Sequence, residues 1–224
     1  MTLREAMELA IYEWGVDSAE NVTEELFQCV VDNFGYPKFW GRYLVEVSGA
    51  SEGLTNEEIS FIRDRGVKLL PIYNAFREAK GYGKGRKMAM DAVYHAKKLG
   101  IPEGTPLFAD IEWFFPVDSG WIRGWTDAIF TSGYRSGIYN DPTSGDFNKA
   151  FCEAAERNEN VKIQNILWSA EPEPGPSGPQ APPSYEPKAP DCGGNLWAWQ
   201  YGRDAGECPI DTNLAHGSLV NILW

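Results

Sequence analysis

Short apolar runs alternate along this chain with longer stretches that carry an apolar residue every three or four positions. That succession predicts strands and helices in turn. Trp14-Gly-Val-Asp17 reads as a first strand, followed by an amphipathic stretch from about Val22 to Asn33. Arg42-Tyr-Leu-Val-Glu-Val47 reads as the second strand. Thr55, with Glu58 three residues on, has the form of a capping box and opens a helix to about Arg65. Gly66 ends that helix, and Val67 to Tyr73 is a third strand. Lys84 to Leu99 is helical, stopped by Gly100 and Pro102. The fourth strand starts at Pro106 and runs out in Asp110-Ile-Glu112. Asp118–Thr131 is a helix, Arg135–Tyr139 the fifth strand and Thr143–Asn158 another helix. Gln164–Ser169, Leu196–Tyr201 and Cys208–Asn213 supply the last three strands.

Strands and helices alternating at spacings of roughly 25 to 35 residues imply parallel strands joined by helical crossovers. Eight strands in 224 residues favour a closed α/β barrel of the TIM type, (β/α)8 and irregular in places, over an open doubly wound sheet. The break in the rhythm is Glu171–Pro190, with eight prolines in 20 residues. Alone it would read as an interdomain linker. Only 34 residues follow it, too few for a second domain without staples. Residues 1–224 are therefore expected to form one domain, with 171–190 a loop on the face where barrel active sites form.

A net charge of −12 with no Lys/Arg-rich stripe excludes a nucleic-acid partner. No apolar stretch approaches membrane-spanning length. Met1–Ala10 carries glutamates where a signal peptide needs an unbroken apolar region, so the chain is expected to be made in the cytoplasm without a secretion signal. A monomer is expected. Cys29, Cys152, Cys192 and Cys208 form no C-x-x-C pair, and only His95 and His216 could assist them, so no zinc site or other cofactor is expected. Cys192 and Cys208 flank one strand and could close a loop as a disulfide. Free thiols are equally consistent with a cytosolic product.

Chemistry concentrates at the predicted strand ends. Side chains alternate along a strand, so Asp110 and Glu112 project to one side. Two acids there are costly unless they serve chemistry, a metal or a hydrogen-bond network. Asp17 and Asp211 end other strands. Four converging carboxylates raise one another's pKa, and a carboxyl that holds its proton near neutrality can protonate a leaving oxygen. Glu112, last on its strand and with the longer side chain, is the candidate donor. The same acids could ligate Mg²⁺ or Ca²⁺, although no Asn/Asp-rich loop completes a shell. Trp197, Trp199 and Tyr201 share one strand face, with Gln200 on the other. They are either a stacking platform for a sugar or packing beneath the helices. Trp113-Phe-Phe115, directly after Glu112, is a candidate cleft wall. Gly81-Tyr-Gly-Lys-Gly-Arg86 lacks the Walker ending and reads as a flexible loop opening a helix. No G-x-S-x-G elbow supports a serine hydrolase.

The ordered set Trp14-Gly-Val-Asp17, Asp110-Ile-Glu112, Trp199-Gln-Tyr201 and Ile210-Asp-Thr-Asn213 resembles glycoside hydrolase family 25, the muramidase-type lysozymes on an irregular barrel. Leu54-Thr-Asn-Glu-Glu-Ile59, Leu70-Pro-Ile-Tyr73 and Leu99-Gly-Ile-Pro102 are similar to the glycoside-hydrolase-like branch of that superfamily, a domain of unknown function. The second strand, with Glu46 and Gly49, and the proline loop depart from the lysozyme pattern. The resemblance implies Glu112 as proton donor, and Asp110 as the acid that orients the substrate's acetamido group or stabilises the oxocarbenium ion. It places Asp17 and Asp211 in the same pocket and lets Tyr139 contribute. It further implies cleavage of the β-1,4 bond after N-acetylmuramic acid in peptidoglycan, at the cell wall or after release by lysis. The alternatives are a non-catalytic glycan-binding or structural module on the same barrel, and a metal-dependent hydrolase.

Overall fold

The structure, a computed structural model, describes residues 12–224. The run Met1–Ala10, read above as unlike a signal peptide, lies outside the described residues. Eight strands close into a barrel in sequence order: β1 (Tyr12–Asp17), β2 (Phe39–Tyr43), β3 (Lys68–Tyr73), β4 (Pro106–Ile111), β5 (Arg135–Asn140), β6 (Asn165–Ala170), β7 (Asn195–Gly202) and β8 (Asp211–His216). Helices α1 (Glu24–Asn33), α2 (Asn56–Asp64), α3 (Tyr82–Lys98) and α4 (Ser119–Phe130) make the first four crossovers. A pair, α5 (Phe147–Arg157) and α6 (Asn160–Gln164), makes the fifth, and a short α7 (Gly217–Val220) follows β8. Phe39, Leu70, Ile72, Phe108, Ile166, Trp168, Ala198 and Ala215 fill the barrel interior. Alternate residues of the same strands, such as Leu69, Leu107 and Ile138, face the helices in an outer apolar layer.

The barrel departs from all-parallel pairing. Every neighbouring pair from β1–β2 to β6–β7 is parallel, but β8 runs antiparallel to both β7 and β1. The cause is connection length. Eight residues separate Gly202 from Asp211, whereas a parallel return needs about a dozen or more. The last strand therefore turns back as a hairpin and begins, rather than ends, near Asp211. The second strand also sits earlier than its apolar pattern suggests. Val45 and Val47 fall outside it, and Gly41 inside it leaves room that a Cβ would lose, at 2.7 Å from the Asp17 Cβ.

Glu171–Pro190 does not wall the mouth of the barrel. It leaves the carboxyl end of β6 and must reach the amino end of β7, so it runs down the outer flank of β7, β8 and β1. Trp14 Nε1 donates to the Ser177 carbonyl at 2.9 Å, Tyr12 stacks on Tyr185 at 4.0 Å, and the Lys188 N–H donates to Glu171 at 2.6 Å.

The cysteines pair as Cys29–Cys208 and Cys152–Cys192. The pairing Cys192–Cys208 is ruled out because the eight residues of β7 stand between them, roughly 26 Å at the rise of a strand. A disulfide needs Cα atoms about 4.4–6.8 Å apart. One bridge ties α1 to the β7–β8 hairpin, the other ties α5 to the end of the proline loop.

The glycine run at 81–86 is helix rather than loop. Gly81 caps α3 at φ +87°, and the Asp118 carboxylate accepts both the Gly81 N–H and the Trp121 N–H, joining the starts of α3 and α4. A Cβ on Gly85 would lie 2.2 Å from the Trp121 carbonyl oxygen, and one on Gly124 2.2 Å from that of Tyr82. Each helix thus needs the other's glycine. Gly85→Ala should cost about 2–3 kcal/mol by forcing the pair apart. A chemical-denaturation midpoint equal to that of the parent chain would refute this contact.

Arg42 is fully buried on the outer face of β2. Its guanidinium pairs with Glu58 and donates to the carbonyls of Ser18 (2.7 Å), Ala19 (3.2 Å) and Glu52 (3.1 Å) and to Asn21 Oδ1 (2.8 Å). One side chain so organises the loops that follow β1 and β2 at the carboxyl end of the barrel.

Candidate functional site

Strand direction and the two-residue side-chain period bring the acids together. Asp17 ends β1, Asp110 is the last inward-facing residue of β4, and Glu112 follows that strand directly. Asp211 starts β8, opposite Asp17 in the antiparallel register. With Tyr43, Ile72, Trp168, Arg203 and Asp204 they line a cavity of about 320 Å³ at the carboxyl end of the parallel strands. Tyr139 and Gln200 also face it, and Trp113 and Phe114 form its rim, 52% and 60% exposed.

A hydrogen-bond network fixes the cavity floor. Gln200 Nε2 donates to Asp17 (3.2 Å) and to Asp211 (3.0 Å), and its carbonyl accepts from the Tyr139 hydroxyl at 2.9 Å. Asn213 Nδ2 donates to Asp17 at 2.7 Å, and Trp168 Nε1 donates to Asn213 Oδ1 at 3.0 Å. The Asp204 N–H, at a residue with φ +53°, donates to the other Asp211 oxygen at 2.7 Å. Asp110 differs, because its buried Oδ1 has no hydrogen-bond partner.

Of the residues expected at the site, Asp17, Asp110, Glu112, Asp211, Trp113, Tyr139 and Gln200 share the cavity. Trp197, Trp199 and Tyr201 do not. Trp199 and Tyr201 point outward beneath the proline loop, Trp199 donating to the Glu171 carbonyl and Tyr201 accepting from Trp14. Trp197 falls at a bulge in the β6–β7 pairing and lies near His216, at the opposite end of the barrel. Ala198 and Gln200 turn into the barrel, where Phe108 and Trp168 already take up most of the room that eight strands enclose, and Trp199 and Tyr201 turn out. Arg203, Asp204, Tyr43, Trp168 and Asn213 were not anticipated as site residues. Only Asn213 had a readable signal, two residues beyond Asp211 on the same strand face.

Burial dominates the electrostatics. It raises the Asp17 carboxyl to about 6 against the opposing hydrogen bonds of Asn213 and Gln200 and the charge of Arg203. Burial and then the Asp17 charge raise Asp211 to about 8. Asp110 is pushed well up by burial, with the Glu112 and Asp17 charges adding, and Glu112 is raised by burial with Arg203 opposing. The cluster therefore retains protons at neutral pH. Among the described residues, no three acid, His or Cys side chains are disposed to hold a metal ion.

These shifts have a stability consequence. A carboxyl whose folded pKa exceeds its unfolded value of about 3.9 keeps a proton that the unfolded chain has lost. Stability is then greatest below about pH 4 as far as these groups are concerned. It falls as pH rises through about 6 for Asp17 and about 8 for Asp211. Melting temperature should decline between pH 5 and roughly 8.5, with a shallower decline in Asp211→Asn. A flat or rising profile in the parent chain would contradict the assignment.

Residues 32–175, more than half of the chain, match the family model of the Rv2525c-like, glycoside hydrolase-like domain. The fold is similar to an uncharacterized Bacillus stearothermophilus protein, at 57% identity over 95% of this chain and 100% of that one, with a TM-score of 0.93. It is also similar to a family GH25 lysozyme from Aspergillus fumigatus, at 13% identity, 94% and 98% coverage and a TM-score of 0.58, a likeness of fold alone. The uncharacterized protein YbfG of Bacillus subtilis is 34% identical over 104 residues. That stretch is 43% of this chain and spans 14% of the length of the curated relative.

Proposed function

The chain belongs to the Rv2525c-like family of glycoside hydrolase-like domains, and from that premise we propose that it is a glycoside hydrolase cleaving β-1,4 bonds of peptidoglycan, with Glu112 as general acid. The observation that carries the reading is the carboxyl pair at the end of β4. Glu112 stands at the cavity with its pKa raised by burial, beside an Asp110 carboxyl whose Oδ1 lacks a partner. Glu112 gives its proton to the glycosidic oxygen as the bond to the anomeric carbon breaks. Asp110 holds the substrate's acetamido group while the acetamido oxygen closes on that carbon, one of the exceptions to two-carboxylate retention. Water, deprotonated by the Glu112 carboxylate, then reopens the ring and restores the acid. The exposed faces of Trp113 and Phe114 suit the apolar faces of sugar rings.

Both disulfides favour action in an oxidising setting such as the cell wall rather than the reducing cytosol. The test is reducing-end release from purified peptidoglycan by the parent chain and by Glu112→Gln. Release by the parent alone supports the proposal. Silence from both, across pH and wall types, would leave the non-catalytic glycan-binding module as the better reading.

A further inference from the structure

Five acidic residues line the cavity, and Arg203 is the one cationic residue among its lining. An arginine amid carboxylates ordinarily closes a forked ion pair with one of them. Arg203 does not. Its Nη2 donates to two neutral oxygens, the Tyr139 hydroxyl at 3.0 Å and the Gln200 carbonyl at 3.4 Å. Among the described residues no carboxylate oxygen comes within 4.0 Å of its guanidinium. Nε and Nη1 likewise have no partner there. The group is nevertheless held in place, because Gln200 is itself pinned by Asp17 and Asp211. A fixed guanidinium with spare donors in a cleft is prepared for an anion before any ligand arrives.

A neutral glycan filling the cleft would strip water from the spare Nε and Nη1 donors and leave them without an acceptor, which is costly. A carboxylate on the glycan would complete the fork instead. We propose that Arg203 is a specificity-determining residue that binds a carboxylate of the saccharide, so that the preferred ligand is an acidic amino-sugar oligosaccharide. The carboxylate could be the free lactyl acid of a muramyl residue that carries no stem peptide, or the acid of a uronic sugar. The inference rests on the hydrolase reading for the saccharide and on Arg203 alone for the charge.

The test reads binding, so that it stands apart from turnover. Calorimetric Kd values are measured on the whole chain carrying Glu112→Gln, and again with Arg203→Gln added. The probes are four tetrasaccharides: chitotetraose, the alternating N-acetylglucosamine–N-acetylmuramic acid form, its lactyl methyl ester, and an alternating N-acetylglucosamine–glucuronate form. One of the acids should bind at least about tenfold tighter than chitotetraose, a difference of about 1.4 kcal/mol. Which acid does so identifies the source of the carboxylate. If the lactyl acid is the preferred one, its ester should behave as a neutral ligand. Arg203→Gln should bring acid and neutral ligand to within two- or threefold.

Equal affinity of the acids and chitotetraose, a preference that survives Arg203→Gln, or no binding of any probe would each overturn the inference. A parent chain that binds the acid selectively but releases no reducing ends would overturn the hydrolase reading while leaving this one standing. Turnover without charge preference would do the reverse.

Discussion

Glu112→Gln is expected to lower reducing-end release by about 10²–10⁴-fold, the span that positioned general acids contribute. The exchange is nearly isosteric and removes the proton the leaving oxygen needs. It also takes away the charge that an ionised Glu112 would bring to bear on the neighbouring Asp17 and Asp110 carboxyls, which raises both. The variant should therefore melt at the parent temperature or slightly above it, and bind saccharide undiminished. That combination separates lost chemistry from lost structure. Activity within about fivefold of the parent would remove Glu112 from the role of acid, since so small a loss falls below what proton transfer supplies. The same change should carry Asp110 to a lower pKa, because one of the charges raising it is gone.

The largest stability effect is expected at Arg42. Arg42→Met leaves the Glu58 carboxylate buried without its cation, together with three carbonyls and an asparagine oxygen that lose their donor. Breaking a buried pair from one side costs about 3–5 kcal/mol. A shift of that size should appear in the denaturation midpoint. The double change Arg42→Met with Glu58→Leu should recover part of it, since an apolar pair leaves no charge stranded. Recovery would locate the cost in the orphaned carboxylate. A double variant no better than the single one would place it in the loops following β1 and β2.

Several parts of this molecule were legible residue by residue. Pro106–Ile111 announced itself because an apolar run between a turn and two acids has one economical reading, a buried strand delivering carboxylates to its end. The Thr55 capping box and the glycine stops placed α2 and α3 within a turn of their true ends. The direction of β8 was not legible, because local pattern describes faces and says nothing of sense. The clue lay in the short connection from Gly202 to Asp211. Alternation along β7 separated the aromatics from Gln200 but could not tell which set turns inward. That depends on how much room eight strands enclose. Arg203 carries no pattern at all. It follows a strand, in a hairpin, and gains its meaning from Tyr139 and Gln200, which only closure of the barrel brings near. The disulfides are the same kind of fact, since Cys29 and Cys208 are 179 residues apart in sequence.

The antiparallel return of β8 also decides where the chain can be held. Tyr12 pairs with His216 at one end of the barrel and Asp17 with Asp211 at the other. The described chain thus starts and finishes on the floor, where the Trp224 carbonyl meets the Leu69 N–H at the foot of β3. Acids and floor lie a strand length apart, on opposite faces. A chain tethered through Trp224 to a bead, a membrane anchor or a neighbouring domain would present its open mouth outward, free to meet an immobile polymer.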